Sequence, residues 1–157
     1  MAKVAVGGTF QYIHDGHKKL IKKTFELAND GHVDIGLTSN EMARKQRLEM
    51  TDYDTRKKNL VDYIKTLNNK ISNCRIFKLT DPYGPTLTDD YDYIVVSSET
   101  YDSALKLNEL RQERGLKPIE IVKIECVMAE DSLPISSTRI MRGEIDIHGN
   151  VLKPRKN

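Results

Sequence analysis

Short apolar runs take turns with longer amphipathic stretches along this chain, and that alternation restricts its fold more than any other feature. Val4-Ala5-Val6 reads as a buried strand and runs straight into Gly7-Gly8. From about Gly16 to Asn29, Leu20, Ile21, Phe25 and Ala28 fall at helical spacing, with Gly31 as a stop signal. Val33-Asp34-Ile35-Gly36-Leu37 alternates as a second strand. A second helix is predicted from about Asp54, with Leu60, Val61, Ile64 and Leu67 on one face. Arg75 to Leu79 reads as a third strand, followed by the turn-forming Asp81-Pro82-Tyr83-Gly84-Pro85-Thr86. Tyr93-Ile94-Val95-Val96 is wholly apolar, as strands buried in parallel sheets are. A helix from about Glu99 to Arg114 stops at Gly115, Ile119 to Ile124 alternates as an edge strand, and a short last helix opens near Ser136-Ser137-Thr138 and stops at Gly143.

Strands that alternate with helices imply right-handed crossovers and a parallel sheet covered on both faces. The expected fold is therefore α/β and Rossmann-like: a doubly wound, five-stranded parallel sheet of order 3-2-1-4-5. Residues 1–150 form one expected domain, and residues 151–157 a basic tail. In such sheets ligands bind beyond the carboxyl ends of the strands, where the strand order reverses. Two segments should meet there, Gly7 to His17 and Ser97-Ser98-Glu99-Thr100.

Composition narrows the partners. The net charge is only +2, too small for a whole-molecule field that would attract nucleic acid. No apolar stretch is long enough to cross a bilayer and no signal sequence is recognisable, so a cytoplasmic protein without membrane attachment is expected. Cys74 and Cys126 have no metal-ligand spacing and are expected to be reduced thiols. No apolar surface stripe stands out, and a monomer is the default expectation.

Gly7-Gly8 after a strand lets the backbone turn sharply and approach a ligand closely. The helix that follows points its N–H groups and positive dipole end at the same place, which makes a phosphate site. It is neither a Walker loop nor a dinucleotide fingerprint. His14-Asp15-Gly16-His17 adds two imidazoles, suited to holding polyphosphate oxygens and to stabilising charge on a departing pyrophosphate. Gly16 is expected to leave room for a nucleotide. A His-x-x-His pair can also bind zinc, but no third ligand stands at helical spacing beyond Asp15. Ser136, Ser137 and Thr138 are good helix caps in any protein, and beside a phosphate loop they read as a second anion clamp. His32 and His148 read as ordinary surface residues.

Together, Gly7-Gly8-Thr9-Phe10 with His14-Asp15-Gly16-His17 and Ile135-Ser136-Ser137-Thr138 resemble the nucleotidyltransferase superfamily marked by a His-x-Gly-His motif and a Ser/Thr-rich helix. Within it, Leu37-Thr38-Ser39, Asp81 to Thr86 and Val95 to Thr100 resemble pantetheine-phosphate adenylyltransferases of the archaeal and eukaryotic type. The resemblance implies that ATP and 4′-phosphopantetheine are joined to give dephospho-coenzyme A and pyrophosphate, with Mg²⁺ bound mainly through ATP. It further implies that His17, His14 and Lys45 are catalytic, with Arg44 and Arg47 as rivals to Lys45. ATP would meet Gly7, Gly8, Thr9, Phe10, His14, His17, Ser97, Ser98, Glu99, Ser136, Ser137 and Thr138. Phosphopantetheine would meet Thr9, Lys45, Asp81, Tyr83 and Gly84; no protein-held metal is expected. Three departures stand out. Gln11 replaces the usual Asp after the Phe, which weakens a role for that side chain. Met141 takes the place of an arginine and leaves Arg139 and Arg142 flanking it. Ser97-Ser98-Glu99 stands where the bacterial enzymes carry arginines.

Overall fold

A computed structural model describes residues 2–44, 51–67 and 73–152. Five strands, β1 (Lys3–Gly8), β2 (His32–Thr38), β3 (Cys74–Leu79), β4 (Tyr93–Val96) and β5 (Glu120–Lys123), form one sheet. Their order is 3-2-1-4-5 with every pairing parallel, as the alternation predicts. The helices are α1 (Asp15–Ala28), α2 (Asn40–Arg44), α3 (Tyr53–Lys65), α4 (Tyr101–Glu113) and α5 (Ser137–Met141). Three helices start away from their sequence-read positions: α1 and α3 one residue early, because His14 and Asp52 cap them, and α4 two residues late, at Tyr101. The short α2 left no pattern that distinguished it from a loop.

The pleat sorts side chains between the two faces. Val4, Val6, Val33, Ile35 and Leu37 point to one face, where α1 adds Leu20, Ile21 and Phe25 and α3 adds Leu60 and Ile64. Ala5 points to the other face, where Tyr91, Leu107 and Ile119 pack. Each large apolar side chain buried this way stabilises the fold by about 1.5–3 kcal/mol relative to exposure.

The alternation in β2 does not mark a solvent face. Asp34 is fully buried, and its carboxylate accepts hydrogen bonds from Tyr91 Oη (2.6 Å) and from Arg75 Nη2 (2.8 Å) and Nε (3.2 Å). His32 Nε2 lies 2.8 Å from the same carboxylate, so this ring holds a core group rather than simply decorating the surface. Burial opposes ionisation of Asp34, but the bonds from Tyr91, Arg75 and His32 prevail and hold its carboxyl below the usual range. A lowered carboxylate value stabilises the fold fully above the unfolded value, about 3.9, and the contribution vanishes as pH falls through the folded value. Asp34→Asn is therefore expected to cost about 1.5–3 kcal/mol near neutral pH. In thermal melts across pH, its gap from the parent chain should close in acid. A gap independent of pH would contradict this assignment. Beside this network, burial and then Asp34 push the Cys74 thiol up to about 12, far from reactive. Both cysteines are free.

At the C-terminal end, Val151 bridges to Ile145 and the Leu152 N–H donates to Glu144 O at 2.8 Å. Residues 153–157 lie outside the described residues.

Candidate active site

The strand order reverses between β1 and β4, and a cleft of about 350 Å³ opens beyond their carboxyl ends. Gly7, Gly8, Thr9, Phe10 and His17 line it from the first loop. Ser97 and Glu99 line it from the end of β4, Tyr83 from the loop after β3, and Ser137 from the start of α5. These segments are far apart in sequence and meet where topology alone places a ligand.

The loop between β1 and α1 is built around its two histidines. Phe10 adopts a positive φ of 48° and buries its ring beneath Gly8 and against His17, with ring centroids 5.0 Å apart. His14 caps α1: its Nδ1 accepts from the His17 N–H at 3.2 Å. The His17 Nδ1 donates to the Tyr12 carbonyl, and the two imidazoles stack with centroids 3.7 Å apart. These bonds fix the tautomers. His14 keeps Nδ1 unprotonated and carries its proton on Nε2. His17 carries a proton on Nδ1, so its Nε2 becomes a second donor when the ring is cationic. A neutral donor thus stacks on one that can supply positive charge.

The room at Gly16 serves a different purpose from the one expected. A Cβ there would lie 2.8 Å from His14 Cε1 and 3.0 Å from His14 Nδ1, so the space belongs to the histidine ring. Gly16→Ala should displace that ring and lower kcat by roughly tenfold or more. The thermal midpoint should change little, because the helix propensity gained with alanine offsets the weakened His14 cap. Kinetics and melts on the same sample check this, and unchanged kcat would refute it. The helix start also offers fewer donors than expected. The Asp15 N–H donates to Ile147 O at 3.0 Å and the His17 N–H to His14, which leaves Gly16 as the one of these three N–H groups without a partner among the described residues.

At α5, Ser136 acts as the N-cap, accepting from the Arg139 N–H at 3.2 Å. Ser137 is 3% exposed, faces the cleft, and its hydroxyl has no hydrogen-bond partner among the described residues. A buried hydroxyl left open towards a cleft marks a ligand position, since leaving it unpaired costs about 1–3 kcal/mol. Thr138 neighbours it without lining the cleft. Arg139 is committed to Asp131 and Glu144, while Arg142 is exposed beyond the helix.

Several expected residues shape the site rather than line it. Asp81 Oδ1 accepts from the N–H groups of Tyr83 (2.9 Å) and Gly84 (2.8 Å), fixing the turn that presents Tyr83. Ser98 is exposed, with its Oγ 3.2 Å from Cys126 Sγ. His14 stands behind His17, off the cleft wall. Lys45 and Arg47 lie outside the described residues, and Arg44 is exposed at the end of α2.

Two supporting residues escaped the sequence reading. Gln11 is buried, donates from Nε2 to Thr51 Oγ1 (2.7 Å) and accepts from the Thr51 N–H (2.9 Å), so its side chain ties the first loop to the start of α3. Arg56 is fully buried and donates to the carbonyls of Thr9 (3.0 Å), Thr38 (2.9 Å) and Thr51 (2.7 Å) and to Asn40 Oδ1 (3.1 Å). Burial lowers its basicity, with Asp52 and Tyr53 opposing, yet a guanidinium stays charged. The available signal was its position: with Tyr53, Leu60 and Ile64 it completes the buried stripe of α3.

Known proteins agree with this architecture. The cytidylyltransferase-like family model matches residues 5–143. A phosphopantetheine adenylyltransferase of Methanosarcina barkeri is 57% identical over 157 residues, covering 100% of this chain and 97% of that protein. One of Archaeoglobus fulgidus is 46% identical, covering 96% of this chain and 99% of that protein. A crystal structure of an Archaeoglobus fulgidus protein of unknown function superposes with a TM-score of 0.72 at 42% identity, covering 80% of this chain and 99% of that chain. The chain belongs to the cytidylyltransferase-like family and, within it, to the phosphopantetheine adenylyltransferases.

Proposed function

We propose that the chain transfers the adenylyl group of ATP to 4′-phosphopantetheine, forming dephospho-coenzyme A and releasing pyrophosphate. Relatives of that name align over nearly all of the chain. The observation in the molecule that carries the reading is the open, buried Ser137 hydroxyl facing the same cleft as His17. Two grips on one cleft suit a triphosphate: the outer phosphates at Ser136 to Thr138 and the α-phosphate near Thr9, Phe10 and His17.

The reaction is a direct in-line displacement. An oxygen of the phosphopantetheine phosphate bonds to the α-phosphorus as the bond to the bridging oxygen of pyrophosphate breaks. A phosphate dianion is already a nucleophile near neutral pH, so positioning and charge stabilisation carry the rate. His17, which can donate from Nε2 when its ring is protonated, meets the charge growing on the leaving group, and His14, stacked behind it, caps the turn that presents it. Lys45 bridges the two reacting phosphates, with Arg44 and Arg47 as neighbours able to replace it. Of the two arginines flanking Met141, Arg142 remains available for phosphate because Arg139 is held by carboxylates. Ser97, Ser98 and Glu99 border the nucleotide, and the Asp81 to Gly84 turn, through Tyr83, borders the pantetheine arm.

No group of three or more His, Cys, Asp or Glu side chains among the described residues is arranged to hold a metal. Mg²⁺ arriving with ATP would be held by nucleotide oxygens and water, where it would neutralise phosphate charge. No helix among the described residues is long and apolar enough to cross a membrane, and we read the protein as a cytoplasmic monomer that binds neither membrane nor nucleic acid. Isotope exchange tests the direct route: label from pyrophosphate should enter ATP only when dephospho-coenzyme A is present. Exchange without it would require an adenylyl-enzyme and would overturn the mechanism.

A further inference from the structure

Two helix starts face the cleft, and one C-terminal turn touches the first while being braced to the second. The carboxylate of Asp146 accepts from the N–H groups of His148 and Asn150 and from the Asn150 side-chain amide, each at 2.9 Å. The Asp146 N–H donates in turn to Asn150 O at 3.0 Å. Gly149 is buried at a φ of 83°, and a Cβ there would lie 2.8 Å from Ala129 Cα, so the turn is seated tightly. Glu144 joins it to α5, accepting from Arg139 Nε at 3.0 Å and, through its carbonyl, from the Leu152 N–H.

From that seat the turn reaches the first turn of α1 at one residue. The Ile147 carbonyl accepts from the Asp15 N–H at 3.0 Å, and His148 Nδ1 lies 3.0 Å from Asp15 Oδ1. Asp15 sits between the two imidazoles in sequence, directly before Gly16. The pair is largely exposed, and exposed ion pairs contribute little to stability. What it can do is orient. We propose that His148 is a positioning residue: acting through Asp15, it holds the His14–His17 turn of α1 at a fixed distance from the Ser137 end of α5. This role rests on the adenylyl-transfer reading, in which both ends grip one polyphosphate.

His148→Ala should lower kcat about tenfold, leave the KM for ATP within about twofold, and shift the thermal midpoint by no more than a degree or two. His148→Asn, whose amide donor falls near the position of Nδ1, should restore most of the rate. Combined with Asp15→Ala, His148→Ala should add little further loss. Amide hydrogen exchange at Asp15 and His17, whose N–H groups are bonded to Ile147 O and His14 Nδ1, followed by NMR without substrate, should quicken in His148→Ala. That readout stands even if the purified chain turns over no pantetheine substrate, so the two readings fail separately. The proposal is overturned if exchange and kcat are unchanged in His148→Ala, if His148→Asn is as slow as His148→Ala, or if kcat falls only in step with the midpoint.

Discussion

Replacing His17 by alanine is expected to lower kcat by about 10²–10³-fold while ATP affinity falls only a few-fold. The size follows from what one donor aimed at developing charge contributes in a water-poor site. The split follows from when that charge appears. On the proposed reading, the phosphates would already have Ser137, the Gly16 N–H and other partners before the bond to pyrophosphate breaks, so His17 should add little to ground-state binding. As the bond breaks, charge builds on the leaving oxygens, and a ring held in place by the Tyr12 carbonyl needs no reorganisation to meet it. Steady-state kinetics together with calorimetric titration of a nonhydrolysable ATP analogue would measure both quantities. Equal losses in kcat and affinity would reduce His17 to a binding residue.

Arg56→Ala should be the most destabilising single change near the site, lowering stability by roughly 3–5 kcal/mol. It removes a fully buried side chain and leaves a void. It also strips donors from three carbonyls and from Asn40, and buried acceptors left unpaired are costly. For a chain of this size the thermal midpoint should fall by about 10 °C. Arg56→Lys should recover only part, because a compact ammonium cannot span acceptors arranged for a planar fork. The functional consequence is local. Arg56 joins Thr9 on the first loop to Thr38 at the end of β2, and the Thr38 hydroxyl donates to Thr9 Oγ1 at 3.0 Å. Loosening that joint should also slow turnover at temperatures where the variant is still folded. A midpoint shift below about 2 °C would show that the surroundings repack without it.

The parts of this molecule that follow simple periodicities are legible in its sequence, and the parts that depend on contacts between distant segments are not. The parallel sheet followed from alternation and crossover handedness, its order 3-2-1-4-5 from likeness to half of a dinucleotide-binding fold, and with it the meeting of Gly7–His17 and Ser97–Thr100. Asp34 reads as half of an ordinary alternating strand, yet it is buried, because Tyr91 and Arg75 approach from other elements. Gln11 reads as a loss of function at an acidic position, whereas its amide both donates and accepts, which suits the Thr51 backbone and hydroxyl. Gly16 was legible as necessary space but not as space for His14. His148 reads as a surface residue, since nothing in a sequence brings a position 133 residues away to Asp15.

The most direct measurement supplies the purified chain with ATP or CTP and with 4′-phosphopantetheine, nicotinamide mononucleotide, glycerol phosphate or flavin mononucleotide, and follows both products. ATP with 4′-phosphopantetheine should yield dephospho-coenzyme A and pyrophosphate in equal amounts, with the other pairs far slower. Pyrophosphate release only with an acceptor other than phosphopantetheine would contradict the assignment.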